Sequence, residues 1–222
     1  MVWSCLVSIL PGMAQTEKLT DYVNPFVGTD GYGNVYPGAQ IPFGGIQISP
    51  DTDSRFYDAA SGYKYNHLTL MGFSLTHLSG TGIPDLGDFL FIPGTGEMKL
   101  EPGTHEDPDQ GYRSRYSHDK EWASPNYYAV ELADYGVKAE MTSGVRSGMF
   151  RFTYPESDNA FIMIDMNHTL WQSCEWSNLR MINDSTITGY KLVKGWGPER
   201  HVYFTATFSK KLTGLRFVQD KK

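Results

Sequence analysis

The sequence predicts an all-β fold: an antiparallel β-sandwich of two large sheets, with long N-terminal loops and little helix. Three observations lead there. Apolar residues recur with period two through the C-terminal two thirds, as half-buried strands require. Clusters of Gly, Pro, Asn, Asp and Ser separate those runs. The 222 residues are 40% hydrophobic and 14% aromatic, enough to bury one substantial core.

The chain begins MVWSCLVSILPGMAQ, an apolar stretch from Val2 to Leu10 followed by Pro11, Gly12 and Ala14. Residues 1–14 read as a secretory signal peptide cleaved near Ala14, although the basic segment that usually opens one is lacking. A buried or unstructured N-terminal strand is the competing reading. The stretch is too short to span a bilayer. Cys5 leaves with such a leader, so Cys174 is then the one cysteine of the mature chain, and neither a disulfide framework nor a zinc knuckle can form.

Residues 24–103 hold most of the 23 glycines and many of the 12 prolines, in long irregular stretches. Long ordered loops tend to build binding sites, so a site is expected here. Beyond them the strands follow in order. YYAVEL (127–132) and GMFRFTY (148–154) are rich in residues that suit a pleated surface. In VKAEMT, Val137, Ala139 and Met141 alternate with Lys138, Glu140 and Thr142. AFIMIDM (160–166) is a continuous apolar run, consistent with a strand buried on both faces. Residues 171–182 can pass for a short helix. In HVYFTATF, Val202, Phe204, Ala206 and Phe208 share one face. The tail RFVQDKK is charged and reads as a natural terminus or as the start of an interdomain linker over 212–222.

Charge excludes one class. Nineteen Lys and Arg against 25 Asp and Glu give a net charge of −6 with no basic stripe, so no nucleic-acid partner is expected. The six histidines show no metal-binding pair spacing, and Asp51-Thr52-Asp53 opens no calcium loop because Arg55 occupies the next ligand position.

Three segments carry the candidate chemistry. In GTDGYGNVYPGAQIPFG (28–44) the glycines do not follow a nucleotide-loop spacing. They read either as an ordinary tight loop or as main chain that a small ligand approaches closely, with Pro37-Gly38-Ala39 as the contact. In DTDSRFYDAASGYKY (51–65) aromatic rings and carboxylates mix as a sugar site requires, since a pyranose offers C–H faces to rings and hydroxyls to carboxylates. Tyr57 beside Asp58 is the exposed pair there, while Tyr63 and Tyr65, two apart, read as core. In GFSLTHLSGTGIPDLGDFLFIPG (72–94), two strands flank a turn bearing His77, Asp85 and Asp88. Ser79 sits in no nucleophile elbow. Asp85 and Asp88 read as metal ligands or as an acid–base pair, or alternatively as caps on local backbone amides.

Taken together, NPFVGTDGYGNVYPGAQIPFGGIQISPDT, SGYKY and GFSLTHLSGTGIPDLGDFLFIP resemble the N-terminal domain of glycoside hydrolase family 92, calcium-dependent exo-α-mannosidases typical of Bacteroidetes. The likeness is close over Tyr22 to Gly94 and looser to about Lys211. It implies that 19–211 form a galactose-mutarotase-like supersandwich domain, packed in the whole enzyme on a C-terminal (α/α)6 catalytic domain that this sequence does not contain. It implies an inverting mechanism, with two carboxyls roughly 6.5–9.5 Å apart across a water. The acid, the base and most ligands of the Ca2+ ion belong to the missing domain, so no catalytic or metal residue is expected in this chain and the chain alone is expected to be inactive.

What the resemblance places here is the rim of a mannose pocket. Gly38 corresponds to a position lying against the mannose in the −1 subsite, with Pro37 beside it. Tyr57 stands where many members carry a tryptophan against the leaving-group sugar, and Asp58 follows it. His77 matches a family position that braces loops or touches substrate. The implied partners are a mannose-containing glycan, such as an N-glycan, and the helical domain. The implied location is exported, in the periplasm or at the surface of a Gram-negative cell. Two other readings compete: a stand-alone carbohydrate-binding module, and a structural domain that only docks its partner.

Overall fold

The computed structural model describes residues 17–54 and 59–218. The expected leader, residues 1–14, lies outside them. Fourteen strands form among the described residues. The first five are β1 (Ala39–Gln40), β2 (Gln47–Asp51), β3 (Thr69–Leu70), β4 (Gly72–Ser74) and β5 (Leu90–Thr95). Then come β6 (Ser114–Arg115), β7 (Glu121–Ser124), β8 (Tyr127–Leu132), β9 (Val137–Ser143) and β10 (Gly148–Thr153). The last four are β11 (Ala160–Asp165), β12 (Ser173–Asn183), β13 (Thr186–Lys194) and β14 (Arg200–Thr207). Among the described residues helix is confined to 3-10 turns such as Leu19–Tyr22, Pro108–Gln110 and His118–Lys120. No helix among the described residues is long and apolar enough to cross a membrane.

The expected sandwich is present, built as four antiparallel sheets rather than two large ones. A five-stranded sheet, β1-β2-β4-β5-β11, faces a four-stranded sheet, β10-β9-β8-β7. β12-β13-β14 make a third sheet, and β3 pairs with β6. Alternation puts Val137, Ala139 and Met141 inward from β9, where they meet Ala39, Ile48 and Phe73 from the opposing sheet and Tyr128, Val130 and Leu132 from β8. Each large side chain buried this way contributes about 1.5–3 kcal/mol. On the opposite side of the five-stranded sheet, Leu90 and Ile92 of β5 pack with Met71 and Tyr112.

β5, not β11, is therefore the strand buried on both faces. The 160–166 run lies at the end of its sheet against β5, and its residues are mostly half-buried. An apolar run reads the same whether it is central or at an edge; only the partner strands decide.

The stretch expected as a short helix is strand β12, paired with β13 from Ser173↔Lys194 to Asn183↔Thr186. Register shifts at Cys174/Trp176 and Met181/Asn183 break its alternation, which hides the period of two in the sequence. Tyr63 is core as expected, but Tyr65 is not. It sits at a turn, 37% exposed, with its ring stacked on His118 at 3.9 Å.

Candidate functional site

Three loops from the first third meet at one end of the sandwich. Thr29 O accepts from Tyr65 N at 2.9 Å, and Asn34 O accepts from Gly80 N at 2.7 Å. The Tyr36 ring lies 5.0 Å from the His77 ring. Glycine is required where these loops touch. Gly62 has φ +83°, and a Cβ there would sit 2.2 Å from Asp51 Oδ1.

Beneath the loops lies a buried tie of charged groups. Asp51, at the end of β2, holds His77 Nε2 at 2.7 Å on one oxygen and His168 Nε2 at 2.7 Å on the other. His77 Nδ1 faces the Gln47 carbonyl at 2.7 Å, so the ring is held between main chain of the sheet and the Asp51 carboxylate. Burial alone would push the Asp51 carboxyl up. The charge of His77 and the hydrogen bonds from both histidines outweigh it and hold the carboxyl well below the usual range. His77 thus binds loop to sheet, with its side chain fully buried.

A second tie anchors the third sheet. Asp88 meets Lys191 of β13 at 3.0 Å, is bonded by Arg200, and accepts from Thr76 Oγ1 at 2.7 Å. Burial opposes its ionisation, but Lys191 and Arg200 bring its carboxyl below the usual range. Asp85 accepts from its neighbour Leu86 N at 2.6 Å and from Trp196 N at 2.9 Å. Local capping is therefore half of Asp85's role, whereas Asp88 reaches across more than a hundred residues to a buried lysine.

Gly38 lies on an open depression lined by Val23, Pro25, Gln40, Ile41 and Pro42, and by the Ser124–Asn126 turn between β7 and β8. A Cβ at Gly38 would fall 2.1 Å from the Ile48 carbonyl, so glycine lets this segment press on β2. Pro37 is buried and does not line the depression. Tyr57 and Asp58 fall outside the described residues.

Sequence reasoning missed Phe43. Its ring is fully exposed, next in sequence to Pro42 of the depression's lining, on backbone with φ 59°. Gly44 N donates to Ile41 O at 3.0 Å, closing a turn with Pro42 second and Phe43 third, as in a type II turn, where that position ordinarily goes to glycine. The signal was Ile-Pro-Phe-Gly itself: a turn sequence with an aromatic where glycine belongs. Tyr32, 91% exposed with Lys64 Nζ 5.9 Å from its ring centre, adds a second ring on these loops.

Asp51, Asp85 and Asp88 are all engaged by internal donors. So is Glu121, which accepts from Tyr63 and Tyr128 and is bonded to His118. Among the described residues no three His, Cys, Asp or Glu are grouped to hold a metal, so these residues do not fit a calcium site.

The pattern of the glycosyl hydrolase family 92 N-terminal domain matches residues 22–222, and the chain belongs to that family. An uncharacterized secreted glycosidase of Arthroderma benhamiae is 30% identical over 139 residues, 62% of this chain and 17% of the relative. Among solved structures, the family 92 glycosyl hydrolase ccman5 superposes with a TM-score of 0.69 at 28% identity, covering 84% of this chain and 26% of that one. The family 92 inverting mannosidase of Bacteroides thetaiotaomicron gives 0.67 at 25% identity, covering 86% and 25%. The chain thus spans a minor part of the length of each relative.

Proposed function

We propose that this chain is the sugar-facing N-terminal part of an inverting, calcium-dependent exo-α-mannosidase acting on N-glycans or related mannosides. The observation that carries the proposal is Gly38, seated against β2 and lining an open depression. In this reading the main chain at Pro37-Gly38 meets the terminal mannose. Tyr57 and Asp58 meet the leaving-group sugar, and His77 braces the loop from below. The exposed Phe43 ring, next in sequence to Pro42 of the lining, adds ring surface of the kind a pyranose face packs on.

Proton transfer and the calcium ion belong, in this reading, to a C-terminal domain outside the chain. Support comes from the buried carboxylates, each of which is already engaged, and from the relatives, which extend well beyond the matched region. Export is supported by the secreted relative and by the apolar leader sequence.

The test is hydrolysis of an aryl α-mannoside by the purified chain, with and without calcium. No turnover is expected; calcium-dependent turnover would overturn the assignment of chemistry to another domain. Calorimetric titration with α-1,2-mannobiose then separates two roles. Binding makes the chain a self-sufficient half-site. Absence of binding means that the pocket forms only against the helical domain.

A further inference from the structure

Strand β12 stands at one end of its sheet. Its ladder is made with β13 alone, and among the described residues its backbone bonds to no other segment. A free edge is a template for another strand, and proteins ordinarily blunt it with proline, lysine or a bulge. β12, SCEWSNLRMIN, contains neither proline nor lysine. Its two register shifts fall near its ends, at Cys174/Trp176 and Met181/Asn183, so residues 176–181 pair without a break. Alternation sorts this stretch. Trp176, Asn178 and Arg180 lie opposite Leu192, Tyr190 and Thr188, which alternate with the buried positions of β13, so the three share the outer face. Trp176 leans on Tyr190, 5.2 Å between ring centres, yet stays 54% exposed. Arg180 is exposed and makes no ion pair with a described residue.

We propose that this edge pairs antiparallel with the same edge of a second copy of the chain, giving a two-fold dimer with one sheet continuous across both. Residues directly opposite in an antiparallel pair share a face. A two-fold axis between β12 and its copy must therefore pass through a residue rather than between two. An axis through Asn178 sets Trp176 opposite the partner's Arg180, twice over, and keeps these pairs inside the unbroken stretch. An axis through Ser177 would carry Arg180 to Cys174, and one through Leu179 would carry Trp176 to Ile182, each across a register shift. Asn178 is thus the register the strand favours. A guanidinium over an exposed indole is an attractive pair, and here it gives the unmatched Arg180 charge its partner. The contact is self-complementary, so assembly closes at two copies. None of the residues lining the Gly38 depression comes from β12, so the pairing does not draw on it.

The experiment is sedimentation velocity of the purified chain from about 1 to 100 µM, the range in which so small an interface should dissociate. A monomer–dimer equilibrium is expected. Trp176→Ala should weaken it about tenfold, because two ring–guanidinium contacts are lost per dimer. Trp176→Arg sets arginine against arginine and should leave monomer. Trp176→Arg combined with Arg180→Trp keeps each pair in exchanged positions and should restore the dimer. Opposite Cα atoms stand about 4.5–5.5 Å apart, within reach of a disulfide. Asn178→Cys, in a background lacking Cys5 and Cys174, should therefore cross-link with a mild thiol oxidant such as diamide, and Arg180→Cys should not. Circular dichroism confirms the strand content of each variant. Monomer at every concentration overturns the proposal. So does a dimer that survives Trp176→Arg, or one that Asn178→Cys fails to cross-link. None of these readouts involves sugar, so this proposal and the mannosidase reading fail separately.

Discussion

Lys191 and Asp88 meet at 3.0 Å inside the protein with neither side chain reaching solvent, 0% and 1% exposed. Burial pulls the Lys191 amine below its ordinary range, and Asp88 opposes that pull. Removing one partner of a buried pair strands the other. Lys191→Met leaves Asp88 with Arg200 and Thr76, so the expected loss is about 3 kcal/mol, the low end for such a break. Urea unfolding measures it, and a loss under about 1 kcal/mol would show that the pair does not fasten the third sheet to the sandwich.

Asp51 gives the protein an acid limb. A carboxyl whose folded pKa lies below its unfolded value adds stability that is complete above the unfolded range, near pH 4, and is lost as pH falls through the folded value. Asp51 and Asp88 are both shifted that way. Wild type should therefore lose stability from about pH 5 downward. Asp51→Asn should be weaker at neutral pH and flatter in acid. Urea midpoints between neutral pH and about pH 3 check this, and parallel profiles would refute it.

Two glycines separate contact from conformation. At Gly38 an added Cβ meets Ile48 O at 2.1 Å and Ser49 Cβ at 2.5 Å, whereas at Gly31, with φ +59°, it meets nothing within 4 Å. Gly31→Ala should cost about 1 kcal/mol, the left-handed backbone penalty alone. Gly38→Ala should cost about 3 kcal/mol, because β2 itself must move. Equal losses in thermal unfolding would mean that the segment does not press on β2.

Phe43 should gain or keep stability on losing its side chain. Its ring is fully exposed, so Phe43→Gly forfeits no burial and relieves a left-handed backbone. Relief of about 1–2 kcal/mol is set against about 0.5–1 kcal/mol for the freer unfolded chain. Chemical unfolding should show no loss. A loss beyond about 1 kcal/mol would reveal that the ring is packed in solution.

Strands with clean alternation were legible because one face is core and the other is not. Val137, Ala139 and Met141 of β9 are buried while Lys138 and Thr142 are half-buried, as their order foretold; Glu140 departs from it, buried where Arg151 and Tyr127 donate to its carboxylate. β12 was not legible, because two register shifts erase its period. The glycine loop around Gly38 could be read as a place of close approach. That the near partner is Ile48 of the same chain could not.

The amino-acid sequence by itself determined the all-β class, most of the strands, the turns between them and the family to which the loops belong. These rest on local conditions: alternation, turn chemistry and residue order. Only the tertiary structure decided which groups meet. Asp51 and His168 are 117 positions apart and share a hydrogen bond of 2.7 Å. Likewise, Trp176, Tyr190 and Tyr203 come from three strands and become one surface only through their register. Such meetings are set by how sheets pair and pack, and no short stretch of sequence encodes the distance between two of its distant parts.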